Sequence, residues 1–341
     1  MIWFWIGFLV LIALFLAMDL GVFHKQSREV SLREALTWSG VWFVTSLLFS
    51  VFVYFAYANH WQGLGEASEL TGAGATRTYL VAYLLEWSLS VDNLFVIALI
   101  FKYFAVPSRY QHRVLFWGII AAVVLRGAFI LVGNAALSHF SWLMYPLAIV
   151  LLVIAWKMLR SDEEFNVADS KVVKWVYARF RVTSEIHGDH FIAHIAEPHT
   201  GTVKRWLTPL AVTLIVVNVI DLIFAIDSIP AAFGLFVGRK PDAFLIFTSN
   251  IFAVMGLRSM YFALASLMGK FAYLQTSLAI ILMFIGFKML IEPFVHGPQW
   301  LEDAMEWVTF PFVIVVLGGG VIASIVHAKR HPEEALAENW P

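Results

Sequence analysis

Nine stretches of about 20 apolar residues recur along the chain, each long enough to cross a lipid bilayer. Backbone N–H and C=O groups have no water to bond in the hydrocarbon region, so such stretches form helices. The sequence therefore predicts an all-α, polytopic membrane protein with about nine transmembrane helices. The predicted spans are 2–23, 36–58, 79–101, 114–137, 141–159, 207–233, 243–267, 271–291 and 308–327.

Composition narrows the function classes. Hydrophobic residues make up 60% of the chain and charged residues 14%, against about 45–50% and 25% in soluble domains. A soluble enzyme is not expected, and a net charge of −1 gives no electrostatic case for binding nucleic acid. The absence of cysteine excludes thiol catalysis, disulfides and cysteine-bound metal centres.

The placement of Lys and Arg predicts the orientation. Of the 23 basic residues, 16 fall in the loops on one side of the nine spans. The loops on the other side hold only Arg77, Arg239 and Lys240. Since basic residues concentrate in cytoplasmic loops, the N-terminus is expected outside and the C-terminus in the cytoplasm.

Spans 3–5 and 6–8 look like two copies of one unit. The matching pairs, in chain order, are Glu86 and Asp221, Asp92 and Asp227, Arg126 and Arg258, and Lys157 and Lys288. A unit of three spans must insert with the opposite orientation the second time, which predicts an inverted 3+3 repeat. Transporters with this architecture place their substrate site near the bilayer midplane, between the halves.

The repeat divides the chain into five parts. Spans 1 and 2 (1–78) precede the first repeat half (79–160), and a cytoplasmic loop (161–206) leads to the second half (207–292). Span 9 and a C-terminal tail complete the chain (293–341).

The acids inside spans 3 and 6 are the candidate site. Four carboxylates in mid-span cost on the order of 10–14 kcal/mol if they remain unpaired, so they require partners: shared protons, the two arginines, or a bound cation. The carboxylate, amide, hydroxyl and backbone oxygens here suit Mg²⁺, Ca²⁺ or Mn²⁺. The candidate metal ligands are Glu86, Asp92, Asn93, Asp221, Asp227 and Ser228, with Asp19, Asn218, Arg126 and Arg258 as accessory candidates.

Helix geometry leaves two arrangements open. Six residues along an ideal helix give a rotation of about 240° and a rise of about 9 Å, so the two acids of one span can meet only if the helix breaks. Pro230 supplies a reason for a break in span 6. If span 3 stays straight, Glu86 takes an entry or gate position. The alternative is a structural role, in which each Arg neutralises an acid and the cluster holds the helices together. For Asn250, an interhelical hydrogen bond is the favoured role.

The loop 160–206 is the only sizeable soluble segment. VVKWVYARF (172–180) resembles an amphipathic interfacial helix, and FIAHIAEPHTGTVKRW (191–206) alternates like a small hairpin. The histidine-containing tract within 187–199 has two interpretations, a metal site or a polar hairpin tip, and no diagnostic ligand spacing supports the first. Its members are His187, Asp189, His190 and His194.

Long motifs in this chain resemble the TerC family of integral membrane proteins, in particular its Alx branch. They are EWSLSVDN (86–93), DLIFAIDSIPA (221–231), FTSNIFA (247–253), GLRSMYF (256–262) and IGFKMLI (285–291). The resemblance implies a LysE-like transporter that exports Mn²⁺ across the bacterial inner membrane, with associations to tellurium resistance and to metal supply for exported enzymes. Relatives commonly have a glutamate where this chain has Asn218.

The residues and the resemblance together predict a secondary exporter of divalent cations that is driven by proton antiport. The preference for Mn²⁺ over Ca²⁺ rests on the resemblance alone. We expect the protein to have no prosthetic group and no enzyme activity. Its partners are the bilayer, the cation and protons, with an oligomer left open. A non-transporting protein that delivers metal to exported proteins is the main alternative. An intramembrane aspartyl hydrolase has little support, since it needs two aspartates at one depth.

Overall fold

Ten α-helices and one small sheet make up the part of the chain that the computed structural model describes, residues 2–23, 31–160, 171–196, 203–236, 239–265, 273–291 and 299–330. The helices are α1 (Ile2–Phe23), α2 (Leu32–Ala58), α3 (Gly72–Tyr103), α4 (Ser108–His139), α5 (Met144–Arg160), α6 (Lys171–Arg179), α7 (Pro209–Phe233), α8 (Ala243–Ala265), α9 (Leu274–Ile291) and α10 (Gln299–Arg330). The strands are β1 (Ile192–Ala196) and β2 (Val203–Leu207).

The polytopic all-α prediction is confirmed, and every predicted span falls on a helix. Seven helices among the described residues are long and apolar enough to cross a membrane. They are Leu32–Ala58, Ser108–His139, Ser141–Arg160, Pro209–Phe236, Ala243–Ala263, Leu274–Ile291 and Val308–His327. The apolar part of α1 is shorter, at Ile2–Met18, and α3 carries the acids at 86 and 92. Crossing by α1 and α3, and hence the count of nine, stays a prediction.

Capping side chains help to set where α3 and α7 begin. The hydroxyl of Thr71 accepts the N–H of Gly74 at 3.1 Å, so α3 begins seven residues before the predicted span. Thr208 caps α7 in the same way, accepting the N–H of Ala211 at 3.4 Å, and Pro209 follows it at the first helical position. Both patterns satisfy or avoid the unpaired donors of a helix start.

The predicted amphipathic helix and hairpin in the soluble loop are confirmed. Helix α6 buries Val173 and Val176, and β1 pairs antiparallel with β2 from Ile192 opposite Leu207 to Ala196 opposite Val203. The hairpin leads directly into α7.

The helices pack in pairs that are related by exchange of the two predicted repeat halves. Helix α3 lies on α8, and α7 lies on α4; α5 lies on α9, and α3 also contacts α7. A Cβ added at Gly286 of α9 would lie 2.9 Å from the Leu152 side chain of α5, so these two helices approach closely. Exchanging α3–α5 with α7–α9 turns the α3–α8 contact into the α7–α4 contact and leaves the α5–α9 and α3–α7 contacts unchanged. The pattern fits an inverted repeat, which itself remains a prediction.

Contacts between distant loops agree with the predicted alternation of helix direction. On one face, the Ser68 hydroxyl before α3 bonds to the carboxylate of Asp242 before α8 at 3.3 Å. On the other face, Arg113 near the start of α4 forms an ion pair with Asp189 of the loop. The predicted nine-span topology places the first face outside and the second in the cytoplasm. Contacts between helices do not distinguish the two faces, so this orientation stays a prediction.

Candidate functional site

Arg126 of α4 is the centre of a buried polar cluster. Its guanidinium forms an ion pair with Glu86 of α3 and a second with Asp221 of α7. The Asp221 contact uses two hydrogen bonds, from Nη2 to Oδ1 at 2.8 Å and from Nε to Oδ2 at 3.2 Å. This is the bidentate geometry in which a guanidinium matches a carboxylate best. The Arg126 side chain is fully buried.

Asn250 of α8 closes the cluster. Its Nδ2 donates to Oε2 of Glu86 at 2.8 Å, and its Oδ1 accepts from Nη1 of Arg126 at 3.3 Å. The interhelical hydrogen bond expected for Asn250 is therefore confirmed. Its place between the acid and the arginine is not visible in the sequence, because it depends on how α8 rotates against α3.

The cluster lies at the centre of the helices that form it. Glu86 is the fifteenth of 32 residues in α3, and Asp221 is the thirteenth of 25 in α7. These two acids are the first landmarks of the two predicted repeat halves, and one arginine holds both. Two carboxylates and one guanidinium leave a formal charge of −1 deep in the protein.

The helices that carry the acids are unbroken. Helix α3 runs from Gly72 to Tyr103 and α7 runs through Pro230 to Phe233, so the break considered at Pro230 is absent. Pro230 lies in the last turn, where a missing N–H disturbs little of the helix. All four acids therefore cannot lie at one level, since residues six apart on a helix differ by about 9 Å along its axis.

The second acid of each helix lies at a different depth from the first. Because α3 and α7 run in opposite directions, position 92 is displaced from Glu86 toward the predicted cytoplasmic face, and position 227 is displaced from Asp221 toward the outer face. The side chains of Asp92 and Asp227 lie outside the described set, as does that of Asp19. The backbone alone places three levels of acids along the axis.

Several hydroxyl groups beside these acids are buried without a hydrogen-bond partner in the described part of the chain. They belong to Ser88 and Ser90 of α3 and to Ser228 of α7. Asn93, also buried, follows one turn after Ser90. Buried hydroxyls without partners are rare in native proteins, so these three are candidates to bind water or an ion. Sequence reasoning identified Asn93 and Ser228 but missed Ser88 and Ser90, since serine in an apolar helix is an ordinary occurrence.

Residues 72–332 match the description "Integral membrane protein TerC family". The chain belongs to the TerC family. The match covers α3 to α10 and so includes every residue of the Arg126 cluster.

Bacterial membrane proteins match this chain over most of their own length. An "Uncharacterized membrane protein" of Rickettsia felis is 36% identical over 323 residues, which cover 94% of this chain and 97% of the relative. The "Putative membrane-bound redox modulator Alx" of Escherichia coli K12 is 39% identical over 296 residues, 86% of this chain and 87% of the relative. The protein of the same description from Photorhabdus laumondii is 40% identical over 296 residues, which cover 86% of this chain and 88% of the relative. No solved structure matches.

Asn218 is the position where the family resemblance implies a glutamate in relatives. It lies one turn before Asp221, and its Nδ2 donates to the Leu214 carbonyl of its own helix at 2.7 Å. Its Oδ1 is buried and has no partner among the described residues. Arg258, the counterpart of Arg126 in the predicted repeat, is also buried.

The histidine-containing tract of this TerC protein does not assemble a metal site in the described residues. No group of three His, Asp or Glu side chains there has metal-binding geometry. Asp189 instead pairs with Arg113, and Nδ1 of His187 lies 3.0 Å from the carbonyl oxygen of Glu185. Part of the tract, 197–199, lies outside the described residues.

Proposed function

We propose that this TerC protein is a secondary transporter that exports divalent cations, with Mn²⁺ preferred, across the bacterial inner membrane. The observation that carries the proposal is the convergence of Glu86 and Asp221 on Arg126 at the centre of the helix bundle. Buried ion pairs add little stability compared with apolar packing. A cluster with an excess negative charge at this depth is better explained by a cation that visits it.

Arg126 acts in this proposal as the counter-charge of the empty site. While no cation is bound, its guanidinium neutralises one of the two carboxylates and holds both in place. A divalent cation that reaches Glu86 and Asp221 supplies the same attraction and displaces the guanidinium. The site would then pass between two discrete states, as the alternating access of a transporter requires.

The three levels of acids suggest the route. Asp92 and Asn93 receive the cation on the cytoplasmic side, the central pair passes it on, and Asp227 and Ser228 lead to the outer side. All donors are oxygen atoms, which suits Mn²⁺ and Ca²⁺ alike. The preference for Mn²⁺ rests on the family resemblance.

Protons complete the cycle in this proposal. Protonation of the acids lowers their affinity for the cation and removes the free energy penalty of an unpaired buried charge. Return of the empty carrier with protons gives cation/proton antiport. Rocking of the predicted repeat halves, with α3–α5 against α7–α9, provides the movement.

Flux measurements test the proposal. Proteoliposomes that contain a metal-sensitive dye should show Mn²⁺ entry with the wild-type protein and none with Asp92→Ala plus Asp227→Ala. The matched control, Glu66→Ala plus Asp189→Ala, removes two acids outside the spans and should transport normally. Equal flux in the two double variants would reject the assigned route. Mn²⁺ binding by the purified wild-type protein without any flux would instead support the metal-delivery alternative.

The description of the relatives as redox modulators does not extend to thiol chemistry in this chain, which contains no cysteine. Any redox effect here would have to act through a metal ion or a partner protein.

A further inference from the structure

An apolar groove lies between the outer ends of α4, α5 and α7. Its volume is about 450 Å³, within the roughly 300–1,000 Å³ of small-molecule sites. It is lined along α4 by residues 128–137 and is closed by aliphatic and aromatic side chains such as Leu147, Ile229 and Phe233. The ten residues of α4 correspond to about 15 Å of helix, the depth of one bilayer leaflet.

A second cavity, of about 510 Å³, adjoins the groove at its outer end. Leu137 lines both, so the two cavities are neighbours. Apolar side chains such as Met144 and Phe236 form part of its lining. The second cavity is also bordered by the basic residues Arg239 and Lys240, by the hydroxyl-bearing residues Ser138, Ser141 and Tyr145, and by the exposed Trp142. The lining residues that the structure describes include no acid.

The basic pair stands out against the charge pattern of the chain. The predicted outer loops hold three Lys and Arg residues in all, and two of these three are adjacent at this cavity. Basic residues are normally depleted on that side of a bacterial membrane protein. Two adjacent basic residues on this face therefore favour a binding role for their charge at this cavity.

We propose that this composite cavity binds an anionic phospholipid of the outer leaflet, such as phosphatidylglycerol. One acyl chain would occupy the groove, and the phosphate would lie beside Arg239 and Lys240, with hydroxyl donors at hand. A soluble anion would contact the basic pair but not the apolar groove. An apolar ligand would fill the groove but would not contact the basic pair. The bound lipid would pack against the last turns of α7 and so stabilise one position of that helix.

Lipid titration followed by native mass spectrometry tests the proposal on the full-length protein in detergent. Phosphatidylglycerol should bind more tightly than phosphatidylcholine with the same acyl chains. Arg239→Gln plus Lys240→Gln should weaken phosphatidylglycerol binding at least about tenfold and leave phosphatidylcholine binding unchanged. Lys171→Gln plus Arg179→Gln, which removes two exposed charges from α6, is the matched control and should change neither affinity. Soluble glycerol phosphate should not compete.

Two further variants examine the groove. Ala136→Trp fills the space for the acyl chain and should weaken both lipids, provided that its circular dichroism matches the wild type. Val132→Cys places a unique thiol at the groove and should remain monomeric under oxidation in membranes. Equal affinity for the two lipids, or equal effects of the two glutamine pairs, would overturn the proposal. A disulfide-linked dimer of Val132→Cys would identify a second copy of the chain as the occupant and overturn it as well.

Discussion

Arg126 binds Asp221 through two hydrogen bonds, from Nη2 to Oδ1 at 2.8 Å and from Nε to Oδ2 at 3.2 Å. The remaining Nη1 group serves Glu86 on another helix. A single guanidinium thus joins the two acids that the predicted repeat pairs with each other. Lysine could not replace it, because a point charge lacks the planar fork that serves two carboxylates at once.

Loss of Arg126 should cost far more than loss of one acid. Arg126→Gln leaves the buried Glu86 and the 14%-exposed Asp221 without a counter-charge and should lower the free energy of unfolding by about 3–5 kcal/mol. Asp221→Asn leaves one acid with one guanidinium and should cost less. Thermal unfolding in detergent, followed by tryptophan fluorescence, compares the two variants with the wild type.

Added Mn²⁺ should separate a cation site from a purely structural cluster. In Arg126→Gln the cation replaces the missing charge, so a concentration of 100 times Kd should restore about 2.7 kcal/mol. The same concentration should stabilise Arg126→Gln with Asp221→Asn less. If Mn²⁺ shifts the unfolding midpoint of both variants equally, the central pair does not bind the cation.

Asn250 should stabilise the cluster through Glu86. Asn250→Ala removes the donor that lies 2.8 Å from Oε2 of Glu86 and should cost about 1.5–3 kcal/mol, as expected for a hydrogen bond to a charged group. Ser249→Ala is the matched control, since its hydroxyl bonds only to the Ile246 carbonyl of the same helix at 3.0 Å. Equal unfolding midpoints for the two variants would contradict this role.

Asn218→Glu should tighten cation binding. The new carboxylate lies one turn from Asp221, and carboxylate sites gain affinity with each added ligand charge. We expect a gain in Mn²⁺ affinity on the order of tenfold by isothermal titration calorimetry. Asn134→Glu is the control, because Asn134 has a similarly unpartnered buried oxygen but lies two turns beyond Arg126 on α4. A similar gain in the control would point to a general charge effect.

Asp242 should make stability depend on pH. Burial raises the pKa of its carboxyl group above the ordinary value, although hydrogen bonds from Leu245, Ser68 and Phe244 oppose the shift. The folded state therefore keeps a proton that the unfolded state has lost, and this contribution to stability is present at low pH. It is lost as pH rises from about 3.9 through the raised folded-state pKa.

Asp242→Asn removes the titration and keeps the helix cap, since asparagine caps as well as aspartate. The unfolding midpoint of the variant should fall less than that of the wild type between about pH 4 and neutrality. Glu66→Gln, an exposed acid of the same outer face, should keep the wild-type slope. Parallel curves for the wild type and Asp242→Asn would show that Asp242 does not titrate in this range.

Local pattern determined much of the architecture. Runs of apolar residues placed every span on a helix, because a backbone in lipid can satisfy its hydrogen bonds only within itself or in a closed barrel. The alternation around Ile192 and Val203 predicted the hairpin for a similar local reason. The long motifs identified the TerC family and the acids at the centre of α3 and α7.

The partners of those acids were decided only by the tertiary structure. From the sequence alone, Arg126 could pair with any of several acids. A helix break at Pro230 was also possible, and it would have brought four carboxylates together. In the folded chain α7 is unbroken, and Arg126 and Asn250 meet Glu86 across gaps of 40 and 164 residues. Which side chains meet at such separations depends on the rotation and depth of each helix against its neighbours. Those quantities are set by packing over whole helix surfaces, and no local pattern contains them.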